Sequence, residues 1–264
     1  MPGAINALSA RLIEASGFEA TYLSGAVLAN SVGGLPDTGL MTLTEAEYQA
    51  RTIARAVALP IVMDADTGFG EADNAARTVW LLEEAGASAI HLEDQEFPKR
   101  CGHLEGKRLV PVEDFLAKLD AALRARACPD FMVIARTDAR SVDGFDAAIK
   151  RAKRYRDAGV DAVFPEALAS AEEFRAFATA VGGNLLANMT EFGKSPCLTV
   201  GELGGLGYNM VIFPVTLQRS AMYAMRKSLE AIKMQGTQRA ILNQMQTRAE
   251  LYELLQYNPD GPTQ

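Results

Sequence analysis

Asp64 and Asp66, in the run Asp64-Ala65-Asp66-Thr67-Gly68-Phe69-Gly70, are the first residues whose type and spacing point to chemistry. On an extended strand, residues two apart share a face. Two anions held that close repel, and each pKa rises unless a cation lies between them. A hard divalent ion with oxygen ligands meets that need. Mg2+, or Mn2+ in its place, keeps several waters, which Glu93 and Asp94 on the next strand can hold. A structural role for the same pair is a helix cap from Asp66 with a buried arginine partner. The glycine-bearing continuation over 67–70 makes the metal site the more specific reading.

The second signal is Pro98-Lys99-Arg100-Cys101-Gly102-His103-Leu104-Glu105-Gly106-Lys107. A cysteine among Lys99, Arg100 and His103 in a glycine-bearing loop is unlike a packed core thiol. Cationic neighbours are expected to lower its pKa and make it a proton donor or nucleophile. Cys128 and Cys197 lack such surroundings and read as structural. His91 alternates into a strand and reads as a satisfied core histidine. A zinc site from the three cysteines with His91 and His103 lacks the usual ligand spacing. Arg136, Arg219 and Arg248 are candidates for gripping substrate carboxylates through paired hydrogen bonds.

Elements must bring these residues together. Strand candidates are Ala20–Gly25, Pro60–Asp66, Ala89–Asp94, Phe131–Asp138, Ala162–Ala167, Asn184–Thr190 and Met210–Val215, most of them apolar enough to be covered on both faces. Amphipathic stretches lie between them, several ending on glycine, as in Glu84-Ala85-Gly86 and Asp157-Ala158-Gly159. Gly3–Asn6 reads as the tail of an eighth strand before a helix at Ala7–Ala15. Repeated βα units imply a parallel sheet, open or closed. No strand–GxGxxG–helix element is present, which favours an α/β (β/α)8 TIM-type barrel over an open dinucleotide fold. Two further helices are expected over Gln218–Met234 and Arg239–Gln256, then a frayed tail over Asn258–Gln264. The organisation read is one barrel domain over 1–264, with 218–257 as a C-terminal helical extension. Ser24, Asp64, Asp66, Glu93, Asp94, Arg136, Asp138, Glu166, Asn188 and Thr190 all fall at strand C-termini, the end where barrel active sites gather.

Composition narrows the function classes. The 264 residues have 48% hydrophobic and 22% charged residues, the balance of a globular protein. A net charge of −7 without a Lys/Arg block argues against nucleic acid as a partner. No apolar run is long enough for a membrane span. Three widely spaced cysteines form no disulfide framework, so a cytoplasmic setting is expected.

Beyond this physical reading, the motifs resemble a known family. Tyr22-Leu23-Ser24-Gly25, Leu35-Pro36-Asp37, the 64–70 run, Glu93-Asp94-Gln95 and Lys99-Arg100-Cys101-Gly102-His103 resemble the isocitrate lyase/phosphoenolpyruvate mutase superfamily. Ala135-Arg136-Thr137-Asp138-Ala139, Leu186–Lys194 and Met245-Gln246-Thr247-Arg248 narrow the resemblance to the 2-methylisocitrate lyases, over Pro2 to Tyr257. The resemblance implies a (β/α)8 barrel, assembled as a homotetramer by exchange of C-terminal helices. It implies Mg2+ on Asp64 and Asp66, with Asp37 and Glu93 supporting the metal waters. Ser24, Gly25 and Ala26 would bind the α-keto-acid half of the substrate, and Arg136 its carboxylate. Gly102, His103, Glu166, Asn188, Thr190, Arg219 and Arg248 would line the remainder. Cys101, on a mobile lid, would protonate the succinate-forming fragment, and Tyr22, a metal-bound water or Glu166 would be the base. Gly25-Ala26 stands where the family often has Gly-Gly. Family members also carry a leading helix, more of the first strand and a longer C-terminus than this sequence shows. The activity implied is cleavage of 2-methylisocitrate to pyruvate and succinate, in propionate catabolism through the methylcitrate cycle. Dimethylmalate, isocitrate and oxaloacetate are alternative substrates on the same scaffold. A phosphonate mutase is disfavoured by Cys101, and a non-enzymatic scaffold by retention of Cys101 and the metal carboxylates.

Overall fold

The structure is a computed structural model that describes residues 1–259 and 261; the tail expected over 258–264 therefore lies partly outside the described residues. The apolar runs form seven strands: β1 (Thr21–Leu23), β2 (Ile61–Asp64), β3 (Ala89–Glu93), β4 (Met132–Thr137), β5 (Ala162–Pro165), β6 (Leu186–Asn188) and β7 (Met210–Ile212). Each is shorter than its apolar run because its last residues leave the ladder for other work. Ser24, for instance, caps a short helix with its hydroxyl, and Asp66 turns into the left-handed region at φ 46°.

β1 to β5 pair in parallel in chain order, as do β6 and β7. Single bridges join these two groups into a ring. Val163 pairs with Leu185 on one side; on the other, Pro2 pairs with Phe213 and Gly3 with Tyr22. Backbone hydrogen bonds accompany the bridges: Gly3 N to the Phe213 carbonyl at 2.9 Å, Ala4 N to that of Tyr22 at 2.8 Å, and Tyr22 N to that of Pro2 at 2.9 Å. The N-terminal segment is thus the eighth stave, which closes the parallel sheet into a (β/α)8 barrel. It is made by Pro2 and Gly3 rather than by Gly3–Asn6; Asn6 instead caps the first helix through a reciprocal pair with Ser9.

The helices are α1 (Ala7–Ala15), α2 (Gly25–Leu28), α3 (Leu43–Ala54), α4 (Ala72–Glu84), α5 (Val112–Ala125), α6 (Ala139–Val142), α7 (Phe145–Asp157), α8 (Ala171–Val181), α9 (Val200–Gly205), α10 (Thr216–Gln235) and α11 (Arg248–Leu254). The single helix expected over Arg239–Gln256 is two pieces, a 3-10 turn at Arg239–Gln244 and α11. The break has a local cause. The Thr247 hydroxyl accepts from Glu250 N while the Glu250 carboxylate accepts from Thr247 N, a capping box that starts a new helix.

Inward-facing positions follow the two-residue period of a strand, and their character changes along the barrel axis. Tyr22, Val62, Ala89, Ile134, Ala162, Phe164, Leu186 and Ile212 fill the interior as one apolar cluster. Two residues further on, in the same inward phase, come Ser24, Asp64, His91 and then Glu93, Arg136, Glu166 and Asn188. The outward faces pack against the helices in a second, larger cluster. Inward phase and parallel direction together deliver the polar strand ends to one mouth.

Closure is sterically strict at Gly3, where an added Cβ would overlap the Pro214 carbonyl. Gly3→Ala is expected to cost about 1–3 kcal/mol. Chemical denaturation would show this as a lower midpoint, with an unchanged slope if only closure is strained.

Candidate active site

The mouth holds a cavity of about 400 Å3, whose walls include Ser24 and Asp64 from the first two strands, Arg136, Glu166 and Asn188 from later ones, and Cys101, Gly102 and His103 from above. Asp64 and Asp66 sit against Gly25: a Cβ there would lie 3.0 Å from Asp64 Oδ2 and 3.2 Å from Asp66 Oδ1. Gly25 N donates to Asp64 Oδ2 at 3.1 Å, and Asp66 N to Asp64 Oδ1 at 3.1 Å. Burial pushes the Asp66 carboxyl up to about 6, and the charge of Asp64 adds to this against the pull of Lys99. Burial acts on Asp64 too, but the cations Lys99 and Arg136, with His91 when protonated, outweigh it and hold Asp64 below the ordinary range. The repulsion inferred from the sequence therefore falls on one member of the pair.

The cation nearest the pair is Lys99. Its Nζ lies 2.7 Å from Asp66 Oδ1 and donates to Asp37 Oδ1, with the side chain only 3% exposed. Neighbouring Glu93 is fully buried, and among the described residues neither carboxylate oxygen accepts a hydrogen bond; Arg136 Nη1 stands 3.2 Å from Oε2 out of line. Burial raises Glu93 well above the carboxylate range despite Arg136 and Lys99. A carboxylate kept dry without donors fits one that receives hydrogen bonds from metal-bound water. Two carboxylates on the ion and further carboxylates around its waters are the donor set of a hydrated Mg2+.

Arg136 is the hub opposite. Its Nε lies 2.9 Å from Asp138 Oδ2, and its Nη2 lies 3.6 Å from Glu166 Oε2, while the guanidinium stacks 5.3 Å above the Phe164 ring. Glu166 also meets His103 Nε2 at 2.7 Å and Asn188 Nδ2 at 3.3 Å. Burial would raise Glu166, but Arg136 and His103 prevail and hold it well below the carboxylate range. His103 Nδ1 accepts from Lys194 N at 2.9 Å, which assigns the ring proton to Nε2. Asn188 Oδ1 is buried in the cavity wall without a partner among the described residues, as a group awaiting a ligand would be.

The structure corrects several expectations. Cys101 is not an activated thiolate: burial pushes its thiol up, with a backbone hydrogen bond from His103 acting weakly against this. Its cationic neighbours face elsewhere, Lys99 toward the carboxylates and Arg100 toward the Glu105 carbonyl. A thiol held protonated suits a proton donor and not a nucleophile. Arg248 is not brought to the cavity; it stands exposed at the start of α11, which packs on α1. Arg219 reaches the rim, where it donates to the Glu191 carbonyl and lies over Phe192. Asp94 faces away from Asp64 and Asp66 and accepts from Thr137 Oγ1, Asp138 N and Tyr155 Oη at 2.8–2.9 Å. Gly25, Ala26 and Thr190 stand in or against the cavity wall.

Three residues carry more than their sequence context suggested. His91 is a core histidine, yet its Nε2 pairs with Tyr22 Oη at 2.7 Å and stands 3.7 Å from Asp64. Burial brings its pKa down to about 4, so the ring is neutral, and its Nδ1 has no partner among the described residues. Burial and Asp64 together raise Tyr22 well above the phenol range. Lys99, a flanking charge in the sequence, and Lys107, the last residue of the 98–107 run, are both buried. Only the strand phase of His91 was available as a signal in the sequence.

The thiol assignment is measurable. Alkylation of Cys101 should be slower than that of exposed Cys128 and Cys197 at pH 8, and should rise with pH only above the ordinary thiol range. Peptide mass spectrometry reads all three in one sample; a faster Cys101 would contradict the assignment.

Comparison with known proteins identifies the family. The family model described as phosphoenolpyruvate phosphomutase matches residues 1–233. The chain is 53% identical over 258 residues to the probable 2-methylisocitrate lyase 1 of Corynebacterium glutamicum, covering 97% of this chain and 84% of that one. It is 51% identical over 257 residues to the 2-methylisocitrate lyase of Aeropyrum pernix, covering 97% and 82%. Among solved structures, 2,3-dimethylmalate lyase superposes with a TM-score of 0.91 at 36% identity, over 96% of this chain and 85% of that one. Phosphonopyruvate hydrolase in complex with oxalate and Mg2+ superposes with a TM-score of 0.86 at 33% identity, over 97% and 89%. The chain belongs to the phosphoenolpyruvate phosphomutase family, within the PEP mutase/isocitrate lyase superfamily.

Proposed function

We propose that the chain is a carbon–carbon lyase that cleaves 2-methylisocitrate to pyruvate and succinate. The observation that carries this reading is the pairing, across one cavity, of a protonated thiol at Cys101 with a buried carboxylate set suited to Mg2+. Identity above 50% to 2-methylisocitrate lyases supports the choice of substrate within the family.

Asp64 and Asp66 would hold Mg2+, with Asp37 and Glu93 facing its waters. When bound, the ion supplies Lewis acidity at the oxygens of the keto-acid half. Ser24, Gly25 and Ala26 line the wall for that half, and Arg136 holds its carboxylate. Loss of the hydroxyl proton to water, the acceptor left once Glu166 and Tyr22 are set aside, lets the adjacent C–C bond break, forming the pyruvate carbonyl and leaving the bond's electron pair on the succinate fragment. That fragment is a carboxylate-stabilised carbanion whose charge spreads over the donors His103, Asn188, Thr190 and Arg219, with Gly102 and Glu166 shaping the wall. The Cys101 thiol protonates its carbon. The electrostatics weigh against a resident anionic base at either side chain considered. Glu166 is too weakly basic while paired with Arg136 and His103, and Tyr22 is held as a phenol against His91.

Self-association belongs to the same reading, as a tetramer built by exchanging C-terminal helices. α10 leaves Met222, Tyr223, Met225, Leu229 and Ile232 exposed in a single chain. Light scattering is expected to give a mass of several subunits, and Leu229→Glu to reduce it.

The activity itself is tested by coupled detection of the 2-oxoacid released: pyruvate from 2-methylisocitrate, from dimethylmalate or by decarboxylation of oxaloacetate, and glyoxylate from isocitrate. Pyruvate from 2-methylisocitrate should be abolished by a chelator, restored by Mg2+, and lowered by roughly 100-fold or more in Cys101→Ala. Release only from another substrate would move the specificity, and silence on all four from folded protein would sink the assignment.

A further inference from the structure

The loop from Pro98 to Gly106 roofs the cavity. Its tip, Gly102, is seated between Arg136 and Glu166 so closely that a Cβ would overlap both side chains. A polycarboxylate bound for Arg136 cannot pass while Gly102 stands there. The loop must therefore lift and return with each ligand exchange.

Two of the contacts that hold the loop down use groups that a ligand or cation would contest: Lys99 on Asp37 and Asp66, and His103 on Glu166. Lys107 differs. Its ammonium, 1% exposed, donates to the Gly102 carbonyl and to Asp138 Oδ1 at 2.8 Å. Asp138 belongs to the barrel: it also receives Arg136 Nε at 2.9 Å, and its backbone N donates to Asp94 Oδ1 at 2.9 Å. An ammonium so deeply buried is tolerated only where its donors are met. Its acceptors here are one carbonyl of the moving tip and one carboxylate of the fixed floor. When the tip lifts, the ammonium gives up the Gly102 carbonyl and keeps only Asp138, which favours return.

We propose that Lys107 is a positioning residue that latches the loop over the cavity by joining the Gly102 carbonyl to the Asp138 carboxylate. It acts through Gly102 and Cys101 and touches no reacting atom. Its kinetic consequence rests on the lyase reading; the latch itself rests on the contacts alone.

The test follows thiol access and turnover in the full chain. Lys107→Met and Lys107→Gln should each raise the iodoacetamide rate at Cys101 by about tenfold in ligand-free protein, while Cys128 and Cys197, already exposed, keep their rates. On 2-methylisocitrate, kcat should fall on the order of 100-fold with KM changed far less, because the closed geometry and not initial binding is lost. Lys107→Arg, which keeps the cation, should recover part of both effects. A Cys101 rate equal to wild type in folded Met and Gln variants would overturn the latch, as would a parallel rise at all three thiols. If neither variant folds, wild-type protein decides: amine labelling of Lys107 and alkylation of Cys101 should slow together on adding Mg2+ with pyruvate. Labelling of Lys107 that ignores the ligand would equally reject the proposal. A wild type that releases no pyruvate but shows the thiol pattern loses the lyase reading and keeps the latch. Normal turnover with an unchanged thiol pattern does the reverse.

Discussion

One guanidinium makes the interior of this mouth tenable. Arg136 stands within 3.6 Å of Glu93, Asp138 and Glu166, all of them buried. Asp138 and Glu166 could not stay ionised at that depth without a cation that cannot lose its proton, and even beside Arg136 burial raises Glu93 well above the carboxylate range. Arg136 is itself held charged: burial acts against the guanidinium, but the surrounding carboxylates raise its pKa further above its already high value. Its planar fork faces several partners at once, and Phe164 fixes the plane from below. A lysine there would supply the charge but not the fork, leaving at least one carboxylate uncompensated.

The barrel exists, in effect, to hold that cluster at its rim. Below it the inward positions are apolar and fully packed, so the polar layer stands on a dry floor where electrostatic interactions are strong. The floor is tied sideways as well as vertically. Asp94, at the end of β3, takes hydrogen bonds from Thr137 and Asp138 at the end of β4 and from Tyr155 on α7. The residue that grips Arg136 is thereby set by the strand next to it. Function in such a site depends on groups left short of partners. Glu93 and Asn188 each keep a buried acceptor unused, a cost that the folded chain bears for its ligands.

The chemistry of the roof follows from the same dryness. A thiol in a cationic sequence context invites the inference of an anion, yet burial reverses the sign at Cys101 because the cations around it have other partners. Lys99 is spent on Asp37 and Asp66, and Lys107 on Asp138 and the loop's own backbone. Sequence adjacency supplies charge near a residue, whereas the fold decides where that charge points.

Much of the fold was legible in the residues. Alternating apolar runs and amphipathic stretches specified parallel βα units, and the clustering of Asp64, Glu93, Arg136, Glu166 and Asn188 at strand ends located the mouth, since strand phase and direction are local properties. The motifs in those positions also carried the family. The sequence was silent where the outcome depended on long-range contact. Closure of the ring by Pro2 and Gly3 between β7 and β1 joins residues more than 200 positions apart, as the N-terminal amine to the Val211 carbonyl shows at a separation of 210. The exclusion of Arg248 from this chain's cavity depends on where α11 docks. The low pKa of His91, the raised thiol of Cys101 and the buried ammonium of Lys107 all depend on desolvation. Desolvation is set by every neighbour in space, so only the tertiary structure could decide it.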